Sequence, residues 1–286
     1  MDLFVTALNS GSNGNCYYIG NKEEAVLVDV GISCREVERR MNRLKLPLDK
    51  VKALFISHEH SDHCRGIKIL SKKHNLPIYI TEGTLQRTDL NSENPLINLI
   101  TSNQPVMIGN LSVTAFPKFH DANDPQSFVI KYHDLCVGVF TDIGISCEQV
   151  IKHFKCCHAI FLESNYDDHM LQTGNYPYHL KRRITNGRGH LSNKQALELF
   201  LEHKPDFMSH VFLSHISKEN NDLSLVYNLF QSHAEDVKVV LTSRTTEIDV
   251  FRISSQKETR EQNFFSLEAE IDFLYGRPGS QLGLAF

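Results

Sequence analysis

No apolar stretch of this 286-residue chain approaches the roughly 20 residues that a membrane-spanning helix needs, so no membrane partner is expected. No basic leader with an apolar core precedes the first strand-like segment, Leu3-Phe4-Val5-Thr6-Ala7-Leu8, so no signal peptide is expected. The seven cysteines (16, 34, 64, 136, 147, 156 and 157) are odd in number and scattered, without zinc-finger spacing. That usage belongs to a reducing cytosol and gives a cytoplasmic expectation. Positive charge is not in excess: the formal net charge is -4. A uniformly basic nucleic-acid binder is thereby excluded, while a local basic patch stays open. Internal repeats and low-complexity linkers are absent as well. The length suits one large α/β domain, expected over 1–253, followed by a more polar tail over 254–286 that either packs on it or moves. Oligomeric state is left open.

Against these absences stands one dense string. His58-Glu59-His60-Ser61-Asp62-His63 directly follows the apolar run Ala53-Leu54-Phe55-Ile56 with one serine between. Four candidate metal ligands fall within six residues, at the exit of a strand. Imidazole and carboxylate suit Zn, Mn or Fe. His58 and His60 can converge on one ion, while Asp62 and His63 turn toward a second. Burying such a cluster is costly unless metal or strong pairing compensates it.

Strand and helix signals alternate along the chain. Glu24-Ala25-Val26-Leu27-Val28-Asp29 reads as a strand and 35–46 as an amphipathic helix. Pro77-Ile78-Tyr79-Ile80 is a short strand before a helix at 82–86. Residues 128–132 and 136–140 flank His133-Asp134 as a hairpin. Ala159-Ile160-Phe161-Leu162 is a buried-strand run, and 193–203 is a helix with Ser192 or Asn193 as its N-cap. A further helix at 223–232 precedes the strand Lys238-Val239-Val240-Leu241.

Three other features bear on function. Leu8-Asn9-Ser10-Gly11-Ser12-Asn13-Gly14-Asn15 reads either as a β-turn or as a phosphate-binding nest of backbone N–H groups, with Ser10, Asn13 and Asn15 among its side chains. Asp29, at a strand end, either orients a metal-bound imidazole from behind or, like Ser33, caps a helix. Lys181-Arg182-Arg183 with Arg188 is the densest cationic stretch, equally a solvated face or a phosphate contact.

The string at 58–63 resembles the signature of the metallo-β-lactamase superfamily, which adds a His, an Asp and a His at later strand ends. His120 closes the 111–119 run, Asp142 follows Cys136-Val137-Gly138-Val139-Phe140-Thr141, and His215 follows Val211-Phe212-Leu213-Ser214. Strand exits are where α/β folds build their sites. Residues 9–15, Thr141-Asp142-Ile143-Gly144, Leu162-Glu163-Ser164-Asn165, Gly189-His190-Leu191-Ser192-Asn193, Leu213-Ser214-His215-Ile216-Ser217 and Asn220-Asn221 narrow the likeness. Together they resemble the YycJ/WalJ group of bacterial nucleases with that fold.

The resemblance implies a fold of the α/β class, a metallo-β-lactamase αβ/βα four-layer sandwich. It implies two divalent metal ions (Zn or Mn) and phosphodiester hydrolysis, as a 5′-to-3′ exonuclease on DNA with a 5′ phosphate. His58, His60 and His120 would hold one ion, Asp62, His63 and His215 the other, and Asp142 would bridge them. Asp62, His190 and Glu163 would be catalytic. His190 and Glu163 look like the pair that tRNase Z-type relatives keep near the leaving group, His190 protonating the 3′ oxygen and Glu163 fixing its tautomer. Lys181, Arg182 and Arg188 are the candidate backbone contacts, which would make binding salt-sensitive.

Rival activities share this ligand set: a small-molecule metallo-hydrolase (cyclic phosphodiesterase, thioesterase or lactamase-like) or an RNA-processing nuclease. A non-hydrolytic binding module would show a degraded ligand set, and no ligand is missing. A flavodiiron-type protein carries H-x-E-x-D-H, whereas His60 stands at that glutamate. His74, His133, His153, His169, His203, His210 and His233 lack matching partners; His158 and His179 read as structural and surface residues.

Overall fold

Strands whose every residue is buried must be covered on both faces, and the strands at 16–20, 25–28, 135–140 and 159–163 are of that kind. The computed structural model describes residues 1–255, so all but the first two residues of the expected tail lie outside it. The first sheet is built from β1 (Asp2–Asn9), β2 (Cys16–Gly20), β3 (Ala25–Val28), β4 (Val51–Phe55), β5 (Ile78–Ile80) and β6 (Ile97–Leu99). The second contains β7 (Pro105–Ile108), β8 (Leu111–Pro117), β9 (Gln126–Tyr132), β10 (Leu135–Phe140), β11 (Ala159–Glu163), β12 (His210–Ser214) and β13 (Lys238–Leu241). The last strand, β14 (Phe251–Ser254), returns to the first sheet beside β1.

Each sheet has seven strands, ordered β14-β1-β2-β3-β4-β5-β6 and β13-β12-β11-β10-β9-β8-β7. Each is antiparallel over one half and parallel over the other, changing at β3 and at β10. Nine helices join them: α1 (Cys34–Arg43), α2 (Ser61–Cys64), α3 (Ile67–His74), α4 (Glu82–Leu85), α5 (Glu148–Phe154), α6 (Asp168–Thr173), α7 (Tyr178–Thr185), α8 (Asn193–His203) and α9 (Leu223–Gln231) among the described residues.

The period of two along each strand sorts its apolar side chains into layers. Leu3, Val5 and Ala7 of β1 meet Val137 and Val139 of β10 between the sheets. Phe4 and Leu8 turn the other way, onto Val37 and Met41 of α1. On the far side, Phe140 and Leu162 pack with α5, α8 and α9. The result is helices, sheet, sheet, helices: the expected four-layer sandwich. Among the described residues no helix is long and apolar enough to cross a membrane.

Two boundaries differ from the sequence reading. The helix expected over 35–46 stops at Arg43, because Lys45 adopts a left-handed φ of 55° and Leu46 N closes back on Met41 O. Leu44 and Leu46 still pack against the outer core, so the apolar pattern outlasts the helix. At the other end, Ser254 pairs with Asp2, so the sheet runs one residue past the expected domain limit of 253.

Tyr17, Phe161 and Phe212 meet at the centre of the sandwich, with ring centroids 5.0 and 4.6 Å apart. Phe161→Ala would leave a void shared by both sheets and is expected to cost about 3–5 kcal/mol in urea unfolding. A loss below about 1 kcal/mol would show that the sheets do not depend on this contact.

Candidate metal centre

The parallel halves of the two sheets end at one cleft. Asp29 follows β3, Ser57 and His58 follow β4, Asp142 follows β10, Glu163 ends β11, and His215 follows β12. His60, Asp62 and His63 come from the N-terminal end of α2, and His120 from the loop after β8. Asp29, Asp142 and His215 have φ of 60°, 55° and 53°, a left-handed backbone that costs an L-residue about 1–2 kcal/mol. Each lies one or two residues past a parallel strand, where that conformation breaks the strand and lets the side chain meet those from the other sheet. Only glycine fits beneath them at position 31, since a Cβ there would lie 1.7 Å from Asp62 O.

Two triads form. His58, His60 and His120 bring ligand atoms within 4.8 Å of one another, as do Asp62, His63 and His215. In the first, His60 Nδ1 is 3.1 Å from His58 Nε2 and 3.4 Å from His120 Nε2. Two nitrogens on one tetrahedral zinc stand about 3.4 Å apart, given bond lengths near 2.1 Å. In the second, Asp62 Oδ2 is 3.6 Å from His63 Nε2 and 3.8 Å from His215 Nε2. Asp142 lies between them, with Oδ1 3.8 Å from His120 Nε2 and Oδ2 3.1 Å from His63 Nε2.

The opposite ring nitrogens are held from behind. His58 Nδ1 is 2.9 Å from Ser57 Oγ, His63 Nδ1 is 2.7 Å from Asp29 Oδ2, and His120 Nδ1 is 3.0 Å from Gly189 O. His215 Nδ1 is 2.8 Å from Glu163 Oε1. Asp29 also accepts from Ser57 N and Ser57 Oγ, whereas Ser33 caps α1; the two readings of the 29–33 segment are thus divided between two residues. Such outer bonds fix the tautomer that presents the other nitrogen to a cation.

The fit to divalent metal rests on two orphaned atoms. Asp142 Oδ2 and His215 Nε2 are buried and, among the described residues, make no hydrogen bond of good geometry, although ionisable groups stand 3.1 Å (His63 Nε2) and 3.8 Å (Asp62 Oδ2) away. A buried polar atom without a partner is costly, and a cation would satisfy both. Burial lowers the basicity of His58, and that of His120 to about 4. Burial also opposes protons on His63 and His215, yet the surrounding carboxylates hold them there. Asp142, Asp29 and Asp62 raise His63; Asp142, Asp62 and Glu163 raise His215 to about 10. Protons there balance charge that a bound cation would otherwise balance.

His190 joins the cleft, its Nδ1 2.8 Å from Glu163 Oε1 and 3.7 Å from Asp142 Oδ1. Glu163 is fully buried, and one oxygen serves both His190 and His215 while the other accepts from Ile143 N and Leu191 N. Burial pushes Glu163 up, but His190 and His215 bring it down to about 2.

The expected substrate contacts fare unevenly. Ser10 and Asn15 are buried and engaged inside. Ser10 Oγ accepts from His215 N, and Asn15 Nδ2 is 3.0 Å from His63 Nε2. Neither is open to a substrate; both contact candidate ligands instead. Asn13 and Ser12 face solvent, between Arg65, whose guanidinium reaches Asn13 O, and Arg244, whose carbonyl accepts from Asn13 Nδ2. Lys181 donates to Gln172 O and Gly174 O, so its ammonium is bound within the protein. Arg182 and Arg188 are exposed, and Arg183 pairs with Asp121 beside His120.

Three residues at the centre escaped the sequence reading. Ser57 links Asp29 to His58, Asn165 donates to His215 O, and the buried Lys118 donates to Thr141 O. Ser57 immediately precedes the histidine string, the one signal that pointed to it. A separate Cys34, Glu38 and His74 cluster lies on α1 and α3, where Lys73 already neutralises Glu38.

Residues 24–216 match the family model of the beta-lactamase superfamily domain. Exodeoxyribonuclease YycJ of Bacillus anthracis is 32% identical over 229 residues, covering 77% of this chain and 85% of the relative. Exodeoxyribonuclease WalJ of Streptococcus pneumoniae is 28% identical over 225 residues, covering 77% and 84%. In structure, the metallo-β-lactamase fold protein YhfI of Bacillus subtilis superposes with a TM-score of 0.68 at 17% identity, covering 87% of this chain and 99% of YhfI. The chain belongs to the metallo-β-lactamase superfamily and, within it, to the family of YycJ and WalJ.

Proposed function

We propose that the protein is a dinuclear Zn- or Mn-dependent phosphodiester hydrolase that removes nucleotides from the 5′ end of DNA. The observation that carries this reading is the convergence of all seven candidate ligands beside a further histidine, His190, held by the buried Glu163. The exodeoxyribonuclease names of the YycJ and WalJ relatives support DNA as the substrate.

His58, His60 and His120 would hold one ion and Asp62, His63 and His215 the other, with Asp142 shared. Bound there, divalent ions supply Lewis acidity toward phosphate oxygens and acidify water to near neutral pH. The chain's own groups do the rest. Glu163 accepts the Nδ1 proton of His190, leaving Nε2 to carry a proton toward the leaving 3′ oxygen. As that proton leaves, Nδ1–H stays with Glu163 and the ring ends neutral. The exposed Ser12–Asn13 turn, with Arg65 and Arg244 on either side, is a seat for the terminal phosphate. Arg182 and Arg188 are free to meet the backbone further along, with binding that weakens as salt rises.

The direct assay offers 5′-phosphorylated single- and double-stranded DNA and matching RNA to metal-defined enzyme. The expected result is mononucleotide release from DNA that stops when the 5′ end is blocked. Cleavage of bis-p-nitrophenyl phosphate alone would overturn the DNA reading and leave a metallo-phosphodiesterase.

Three substitutions separate the roles. Asp142→Ala should abolish hydrolysis and lower metal content with an unchanged circular dichroism spectrum; full activity would contradict the shared-ligand assignment. His190→Ala should keep its metal yet lose about 10²–10⁴ in kcat. A His190→Ala enzyme at wild-type rate would remove it from the chemistry. Asp29→Asn should weaken metal affinity about 10–100-fold by competitive chelation, and unaltered affinity would show that Asp29 does not support His63.

A further inference from the structure

Between α6 and α7 lies a cavity of about 500 Å³ that no metal ligand lines. Its walls include Tyr166, Tyr176, Tyr178, Asp168, Gln172 and Arg182. The volume is within the roughly 300–1,000 Å³ of small-ligand sites. The two helices carry their own apolar cluster, Tyr166, Leu171 and Ile184 backed by Tyr176 and Leu180, apart from the three cores of the sandwich. Lys181, bonded to Gln172 O and Gly174 O, ties α7 to the end of α6. The cavity is thus a built feature with its own packing.

Two of its side chains lack the partners their chemistry calls for. Tyr166 is 3% exposed overall, and its hydroxyl, unbonded among the described residues, is not sealed off but opens on the cavity. Tyr178 is 75% exposed, with the Arg182 guanidinium 6.0 Å from its ring centroid and in no ion pair among the described residues. A phenol hydroxyl that opens on a cavity and an aromatic ring kept in water both gain from a ligand that is flat, apolar on its faces and polar at its edge.

The cavity is coupled to the metal centre by short covalent and hydrogen-bonded paths. Tyr166 follows Glu163 by three residues and bridges to Ser192, beside His190. Burial, then Asp168, then the Glu163 charge raise the Tyr166 phenol to about 12, which puts Glu163 within electrostatic reach. The last turn of α7 accepts the His190 backbone N–H at Ile184 O, 3.0 Å away.

We infer that this cavity takes one unpaired nucleobase of the DNA strand under attack, an inference that rests on the nuclease reading above. The base stacks on Tyr178 and Tyr176, its edge meets the Tyr166 hydroxyl, Gln172 and Asp168, and its phosphate lies outside against Arg182. Asp168 repels a phosphate from the interior, which orients the nucleotide base-inward. Because every base has a π face, such a seat tolerates sequence while demanding an unpaired strand.

The test compares wild type with Tyr178→Ala, Tyr178→Phe and Tyr166→Phe on single-stranded DNA and on bis-p-nitrophenyl phosphate. Tyr178→Ala should raise KM for DNA about tenfold or more, leave kcat unchanged and leave the small diester untouched; Tyr178→Phe should restore the KM. In wild type, an abasic residue at one fixed distance from the cleaved end should reproduce that loss, and in Tyr178→Ala that position should no longer matter. If wild type cleaves DNA while Tyr178→Ala keeps its KM and no abasic position has an effect, the cavity assignment falls and the nuclease reading stands. If wild type cleaves only the small diester and binds no phosphorothioate oligonucleotide in fluorescence anisotropy, both fall. An equal loss on both substrates would assign Tyr178 a structural role and overturn the seat.

Discussion

Four carboxylates, Asp29, Asp62, Asp142 and Glu163, converge at the strand ends on a site whose buried ammonium is Lys118. Removing that much like charge from water costs several kcal/mol for each ion unless it is paired. The surrounding fold answers this one imbalance. Backbone N–H groups of Ser57, Ile143 and Leu191 are aimed at the carboxylates, and the same carboxylates raise the basicity of His63 and His215. The left-handed residues at the strand exits are the backbone expression of it. Strain at Asp29, Asp142 and His215 persists because the two sheets lock the strands that lead into them.

The two halves of the cleft are unlike. His58, His60 and His120 form an all-imidazole triad, in which burial lowers the basicity of His58 and His120. Asp62, His63 and His215 sit among carboxylates and stay basic. Asp142 reaches both sides: Oδ2 approaches His63, and Oδ1 stands between His120 and His215. Glu163 has the same double role a layer further out, joining His190 to His215 through a single oxygen. The group outside the ligand set is thereby fixed to the ligand set without entering it.

Much of this was legible in the sequence because metal chemistry concentrates its ligands. Four of the candidate ligands share six residues, and the other three follow apolar, strand-like runs. The hairpin at His133-Asp134 and the helix cap at Ser192 were equally local signals. What escaped depended on tertiary geometry. Lys45 ends α1 in a left-handed conformation usually left to glycine, so periodicity overran the helix. Ser10 and Asn15 look like a surface turn in sequence, yet β12 and α2 close over them. Lys118 reads as an ordinary strand-end lysine until its neighbours across the cleft are seen. The helices α6 and α7, six and eight residues long, are too short for a periodic signal, so Lys181 and Arg182 read as a charge run rather than one wall of a cavity.

If divalent cations complete the charge balance of the cleft, two to a chain, the protein's composition and its stability must both show it. The most direct measurement is elemental analysis of the purified protein together with its melting temperature before and after chelation. Two Zn or Mn ions per chain are expected, with a lower melting temperature once they are removed and recovery of both on readdition. A chain that holds no metal after loading, or melts identically with and without it, would contradict a cation-balanced cleft.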